Sequence, residues 1–198
     1  FTSGATSAIF TAFKTLSENH TSVLVDSFSH KSVFAAVRGF FSDIYLLKRR
    51  YDSFGFPLAV DLDELDDALN KSGAKLFSIT SPDYYGKVSD LESIKRICER
   101  RSVTLFCDAS HGAHFAFSTK LPPAPANFCD MAVLSLHKTM PVYTGGAALA
   151  LNGAESYIKA AQARAELCTT SPSYVTLCSM DYARALYDEM GEELLSDL

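Results

Sequence analysis

The 198-residue chain contains no Cys-x-x-Cys pair, no basic run longer than Lys48-Arg49-Arg50, and no apolar stretch near the roughly 20 residues that a membrane-spanning helix requires. Its five cysteines, Cys98, Cys107, Cys129, Cys168 and Cys178, are odd in number and mostly flanked by apolar residues. That predicts reduced core thiols of a cytoplasmic protein, with no disulfide framework. With 23 acidic against 18 basic side chains and a formal net charge of -5, the chain offers no electrostatic footprint for nucleic acid. No basic, apolar, small-residue leader is recognisable, and neither membrane nor nucleic acid is expected as a partner. Neither G-x-x-x-x-G-K-[ST] nor G-x-G-x-x-G occurs, which removes the usual ATP and dinucleotide readings.

What is present is a chain 47% hydrophobic and 21% charged. A domain of this length buries roughly 70% of the surface of its unfolded chain, enough for a core without disulfides or a structural metal. Short apolar runs alternate with helical stretches, the pattern of a three-layer αβα fold around a mostly parallel sheet. Strands are expected at Ser22 to Val25, Asp43 to Leu47, Lys75 to Thr80, Val103 to Cys107, Met131 to Leu136 and Ala147 to Leu151. Asp61 opens one helix as a carboxylate cap, and Ser89-Asp90-Leu91-Glu92 fits a capping box with Ser89 as the cap. Leu62, Leu65 and Leu69, and Leu91, Ile94 and Cys98, give these two helices apolar faces. Two long helices are expected through Glu155 to Leu167 and Tyr174 to Leu195. No linker or repeat interrupts residues 1–198, so one domain is expected. Phe1 stands where a motif is already under way, which predicts a piece of a longer chain.

In such a sheet, ligands sit at the carboxyl ends of the strands. After the strand beginning at Met131 comes Ser135-Leu136-His137-Lys138-Thr139, where desolvation would favour a neutral, nucleophilic amine able to form a Schiff base. Lys138 could equally open a loop and reach to water. The preceding strand delivers Asp108, followed by Ala109-Ser110-His111-Gly112-Ala113-His114. A carboxylate there is costly unless a cation pairs with it, and a protonated pyridine nitrogen is such a cation. A cap or loop role is the alternative for Asp108, and His111 and His114 lack the further ligands that a metal site needs. Thr2-Ser3-Gly4-Ala5-Thr6-Ser7 leads into a helix with small residues that let backbone N–H groups reach an anion, with Thr6 and Ser7 as hydroxyl donors. The same residues also suit an ordinary helix start. Asp26-Ser27-Phe28-Ser29-His30-Lys31-Ser32 offers an imidazole that could lie on an aromatic cofactor or simply cap a helix. Thr80-Ser81-Pro82-Asp83-Tyr84-Tyr85-Gly86 reads as a covering loop or a turn.

The order Gly-Ala-Thr-Ser, His-Lys-Ser, Thr-Ser-Pro-x-Tyr-Tyr-Gly, Asp-x-x-His-Gly-Ala-His and Ser-x-His-Lys-Thr resembles the major domain of the Orn/Lys/Arg decarboxylase family, pyridoxal-phosphate enzymes of fold type I. The resemblance extends through Thr169-Thr170-Ser171-Pro172-Ser173-Tyr174. It implies decarboxylation of a basic amino acid in which Lys138 carries pyridoxal 5'-phosphate covalently, Asp108 pairs with the ring nitrogen and His30 stacks on the ring. It implies that Ala5, Thr6, Ser7, Ser135 and His137 surround the phosphate, that His111 lies near the cofactor, and that Thr170 and Ser171 approach the site across a homodimer interface. Ala109 stands where many members have an acidic residue, and Ala5 where a hydroxyl is frequent. The resemblance further implies a segment before Phe1 and a C-terminal domain. A cysteine desulfurase-like or aldolase-like lyase, an aminotransferase, or a catalytically incomplete cofactor-binding module remain as rival readings.

Overall fold

Runs of apolar residues become strands where both faces are covered, and here alternate side chains of each central strand enter two different cores. In the computed structural model, which describes residues 1–197, these strands are β1 (Thr2–Ser3), β2 (Ser22–Asp26), β3 (Asp43–Leu47), β4 (Leu76–Thr80), β5 (Thr104–Asp108), β6 (Met131–Leu134) and β7 (Gly146–Leu151). They form one sheet in the order β1-β7-β6-β5-β4-β2-β3. The five from β3 to β6 are parallel, and β7 runs antiparallel to β6 with β1 antiparallel to β7.

On one face Leu24, Phe77, Ile79, Leu105, Cys107 and Ala132 meet α3 (Leu62–Ser72) and α4 (Leu91–Arg100) through Leu65, Leu69, Ile94 and Cys98. On the other, Val23, Val25, Leu76, Phe106 and Val133 meet α1 (Ala5–Ser17) and α2 (Lys31–Phe40) through Ile9, Phe13, Val33 and Val37. This period of two within apolar runs is what burial on both sides of a parallel sheet requires.

Local chemistry sets the helix ends. Asp61 Oδ1 accepts the N–H groups of Asp63 and Glu64 at 3.1 and 3.0 Å, and α3 stops at Gly73, whose φ of 64° is left-handed. The expected capping box is not formed. Asp90 caps α4 by accepting Ser93 N–H at 3.0 Å, while Ser89 Oγ accepts Val60 N–H at 3.2 Å. The strand expected at Met131 to Leu136 also ends early, at Leu134, because Leu136–Thr139 turns into the short helix α5. Cys98, Cys107 and Cys129 are buried and all five cysteines are free, but Cys178 is exposed and Cys168 half-buried, against the expectation of core thiols. Among the described residues no helix is long and apolar enough to cross a membrane.

The two C-terminal helices are α6 (Ala154–Leu167), beside α1, and α7 (Tyr174–Leu194). α7 presses on the 3-10 turn Ala113–Phe117 so closely that a Cβ at Gly191 would stand 2.6 Å from the backbone oxygen of Phe117. Gly191→Ala is expected to lower the unfolding free energy by about 1–3 kcal/mol, since backbone cannot yield as a flexible side chain would. Equilibrium denaturation measures this, and an unchanged midpoint would show that α7 can shift freely.

Candidate active site

The parallel strands end on one edge of the sheet, and there a cavity of about 550 Å³ opens between them and the start of α1. It is lined by residues following β2, β4, β5 and β6, where loops and helix N-termini gather.

Gly4 precedes α1 with φ 86° and donates its N–H to Gly145 O at 2.6 Å. No side chain caps this helix. The first-turn N–H groups therefore have neither an intrahelical acceptor nor a side-chain one, and Ala5 and Thr6 face the cavity. Ser7 is not brought there. Its Oγ donates to Ser3 O at 3.0 Å, because the hydroxyl folds back onto its own turn.

Across the cavity, Ser135 is fully buried and its Oγ has no hydrogen-bond partner. Such a group is costly to bury. His137 also lines the wall, held by Nδ1–H donating to Gly146 O at 3.0 Å, so Nε2 is its free nitrogen. Lys138 follows in the single turn of α5. It is exposed, not desolvated as its place after a buried strand suggests, and its Nζ lies 3.2 Å from His111 Nε2.

Asp108 ends β5 and is 3% exposed. Its Oδ1 accepts both the N–H of Ser110 at 3.2 Å and the Ser110 hydroxyl, while no cation pairs with it among the described residues. His111 is half-buried, and burial first, then the Lys138 charge, hold its imidazole below the ordinary histidine range against the opposing pull of Asp108 and Asp83. It is therefore neutral at pH 7, with Nε2 free to accept from the Lys138 amine. His114, packed edge-on against Phe115, is likewise lowered by burial and keeps an unpartnered Nδ1. Among the described residues no group of three His, Cys, Asp or Glu side chains is arranged to hold a metal ion.

His30 caps α2, its Nδ1 accepting Ser32 N–H at 3.2 Å, and it is also among the residues that line the cavity. Thr170 and Ser171 lie in the exposed turn between α6 and α7, and neither lines the cavity. Tyr84, in the loop read as a cover or a turn, lines the cavity, and its ring meets His111 edge-on with centroids 6.3 Å apart. The buried pair of Asp26 and Arg49 was not expected. One signal was available: Asp26 ends β2 just as Asp108 ends β5.

Comparison with known proteins gives three kinds of likeness. The family described as "Orn/Lys/Arg decarboxylase, major domain" matches residues 1–198. The chain is 34% identical over 182 residues to the uncharacterized protein YaaO of Bacillus subtilis, covering 89% of this chain and 38% of that protein. It is 29% identical over 198 residues to an arginine decarboxylase of Bacillus anthracis, covering 97% of this chain and 40% of that enzyme. The chain thus spans about 40% of the length of the curated relatives it matches. In structure it resembles cystalysin from Treponema denticola, which contains pyridoxal 5'-phosphate, with a TM-score of 0.70, 16% identity and coverage of 96% of this chain and 50% of that one. The fold is therefore that of fold type I pyridoxal-phosphate enzymes.

Proposed function

This chain belongs to the Orn/Lys/Arg decarboxylase family, and from that premise we propose that the complete protein decarboxylates a basic amino acid, lysine, ornithine or arginine, to its amine. The observation that carries the reading is the convergence of Lys138 and Asp108, from the ends of the neighbouring strands β6 and β5, on one cavity faced by an uncapped helix start.

The residues present fit pyridoxal 5'-phosphate. Ser135 Oγ is an orphaned buried donor, the N–H groups opening α1 lack acceptors, and Asp108 is a buried carboxylate without a cation. Ala5, Thr6, Ser135 and His137 would hold the phosphate, Lys138 the aldehyde carbon, Asp108 the ring nitrogen and His30 the ring face, with His111 beside Lys138. When bound, the cofactor supplies an electron sink for the pair left behind by carbon dioxide. The chain's own part is positional. Ser110 fixes the Asp108 carboxylate through two hydrogen bonds. His111, its imidazole lowered by burial, keeps Nε2 as a hydrogen-bond acceptor that orients the Lys138 amine across their 3.2 Å contact.

The same family resemblance supports a homodimer or larger assembly, and exposed aromatics such as Phe54, 85% exposed, and Tyr84, 75% exposed, suit an interface; the free cysteines suit the cytoplasm. The arginine decarboxylase named among the relatives makes arginine the first substrate to offer. The test is the full-length gene product reconstituted with pyridoxal phosphate and supplied with arginine, lysine or ornithine. Carbon dioxide and the matching amine are the expected products; a keto acid, alanine or ammonia would instead identify one of the other fold type I reactions.

Ser135→Ala separates the phosphate role from folding. Removing an unpartnered buried hydroxyl should leave the apoprotein as stable or slightly more so, while cofactor affinity falls roughly tenfold or more, the worth of a hydrogen bond to a charged group. Thermal melting together with a cofactor titration measures both, and unchanged affinity would remove Ser135 from the phosphate site.

A further inference from the structure

At the carboxyl ends of β2 and β3 an ion pair is sealed from water. Arg49 Nη2 lies 2.6 Å from Asp26 Oδ2 and Arg49 Nε 2.9 Å from Oδ1, a bidentate fork with side chains 1% and 0% exposed. Burying two charges offsets most of their attraction, and apolar residues of similar volume fill such a space as well or better. Stability alone therefore gives little account of the pair. What it has that apolar residues lack is direction.

The direction is toward the cavity. Asp26 Oδ1 also accepts Phe28 N–H at 3.0 Å, and Oδ2 accepts Thr80 N–H at 3.5 Å. Arg49 Nη2 donates to Thr80 O at 3.4 Å, and the Arg49 backbone N–H donates to Ser27 Oγ at 3.1 Å. Thr80 Oγ1 in turn donates to Ser29 Oγ at 3.4 Å. Ser27, Phe28, Ser29, His30 and Thr80 are one wall of the cavity. Among the described residues, only the bond from Arg49 Nη1 to Leu58 O, at 2.7 Å, leads elsewhere, and it holds the far side of the guanidinium still. Ser32 holds the His30 ring through its Nδ1, and His30 directly follows the 27–29 turn.

We propose that Asp26 and Arg49 are positioning residues, an ion pair that ties the ends of β2, β3 and β4 together and so sets His30 against the ligand. The inference rests on the reading of this cavity as a pyridoxal-phosphate site. Neither Asp26 nor Arg49 lines the cavity. The pair acts through His30.

The experiment uses the full-length holoenzyme with Arg49→Lys, which keeps the charge but cannot make the planar fork, and with Asp26→Leu/Arg49→Met, which removes both charges together. Both variants are expected to fold and to lose about 10- to 100-fold in kcat, the scale of a misplaced site group, with KM for substrate nearly unchanged. The visible circular dichroism of the bound cofactor should weaken, and the cofactor dissociation constant of the apoenzyme should rise. In a His30→Ala background the Arg49→Lys loss should largely vanish, because the residue through which the pair acts is gone. Wild-type kcat and cofactor dichroism in the variants would overturn the proposal. So would a loss that is simply additive with His30→Ala, or failure of both variants to fold, since each marks the pair as structural. If the unmodified holoenzyme takes up no pyridoxal phosphate, the cofactor reading fails first, and the inference with it.

Discussion

Lys138→Ala in the complete enzyme should abolish covalent retention of pyridoxal phosphate and lower turnover on the order of 10³-fold or more, as loss of a covalent catalyst does elsewhere. Lys138 is exposed in a single helical turn, and its one side-chain hydrogen bond among the described residues is the 3.2 Å approach to His111. Removing it leaves no cavity and no unpaired buried charge, so stability should move by no more than about 0.5 kcal/mol. A large functional effect against a silent fold is the signature of a reacting group. The direct measurement is reduction with borohydride followed by mass spectrometry of the peptide containing residue 138. The wild-type peptide should carry the cofactor mass and the variant none. Reducible cofactor still bound to the variant protein would transfer the role to another lysine.

The central strands were legible because their burial is on both faces, and β2, β4, β5 and β6 shift by only one or two residues at their ends. The edge strand Asp43–Leu47 is found as expected although four of its five residues are exposed. The direction of β7 was not read, yet the chain carries the reason. Only 11 residues separate Leu134 from Gly146, too few for the crossover of a dozen or more that a parallel neighbour requires. The capping box failed for a cause no local pattern contains: Ser89 Oγ is claimed by Val60, 29 positions earlier in the chain. Of the site, Lys138, Asp108, His111, Ser135, His137, His30, Ala5 and Thr6 do meet in one cavity, since strand order alone brings carboxyl ends together. Ser7 does not, because a helix turn sends successive side chains to different sides. Asp26 and Arg49 stayed hidden because a buried arginine in a Lys-Arg-Arg run looks solvated until its partner 23 residues away is placed beside it.

Asp108→Asn tests the electronic half of the site. The carboxylate is 3% exposed, and Ser110 occupies Oδ1 with its N–H and its hydroxyl. Asparagine keeps the shape and can keep an acceptor oxygen toward Ser110, so fold and cofactor content should survive. Replacing an unpaired buried carboxylate by an amide also removes a desolvation cost, and the apoprotein should melt no lower than wild type. What the variant loses is negative charge at the end of β5, facing the ring nitrogen in the proposed complex. Fixed charge in a water-poor site is worth far more than in water, and loss of one such contact commonly lowers kcat about 10²- to 10³-fold. The variant should therefore hold stoichiometric cofactor by absorbance yet release carbon dioxide at that reduced rate, with substrate KM little changed. Undiminished decarboxylation would mean that Asp108 serves only to order the Ser110 turn. Loss of cofactor with loss of rate would make it a binding residue, without a role in the chemistry. Paired with Lys138→Ala, which removes attachment, this variant separates holding the cofactor from activating it, a division that two neighbouring strand ends make possible.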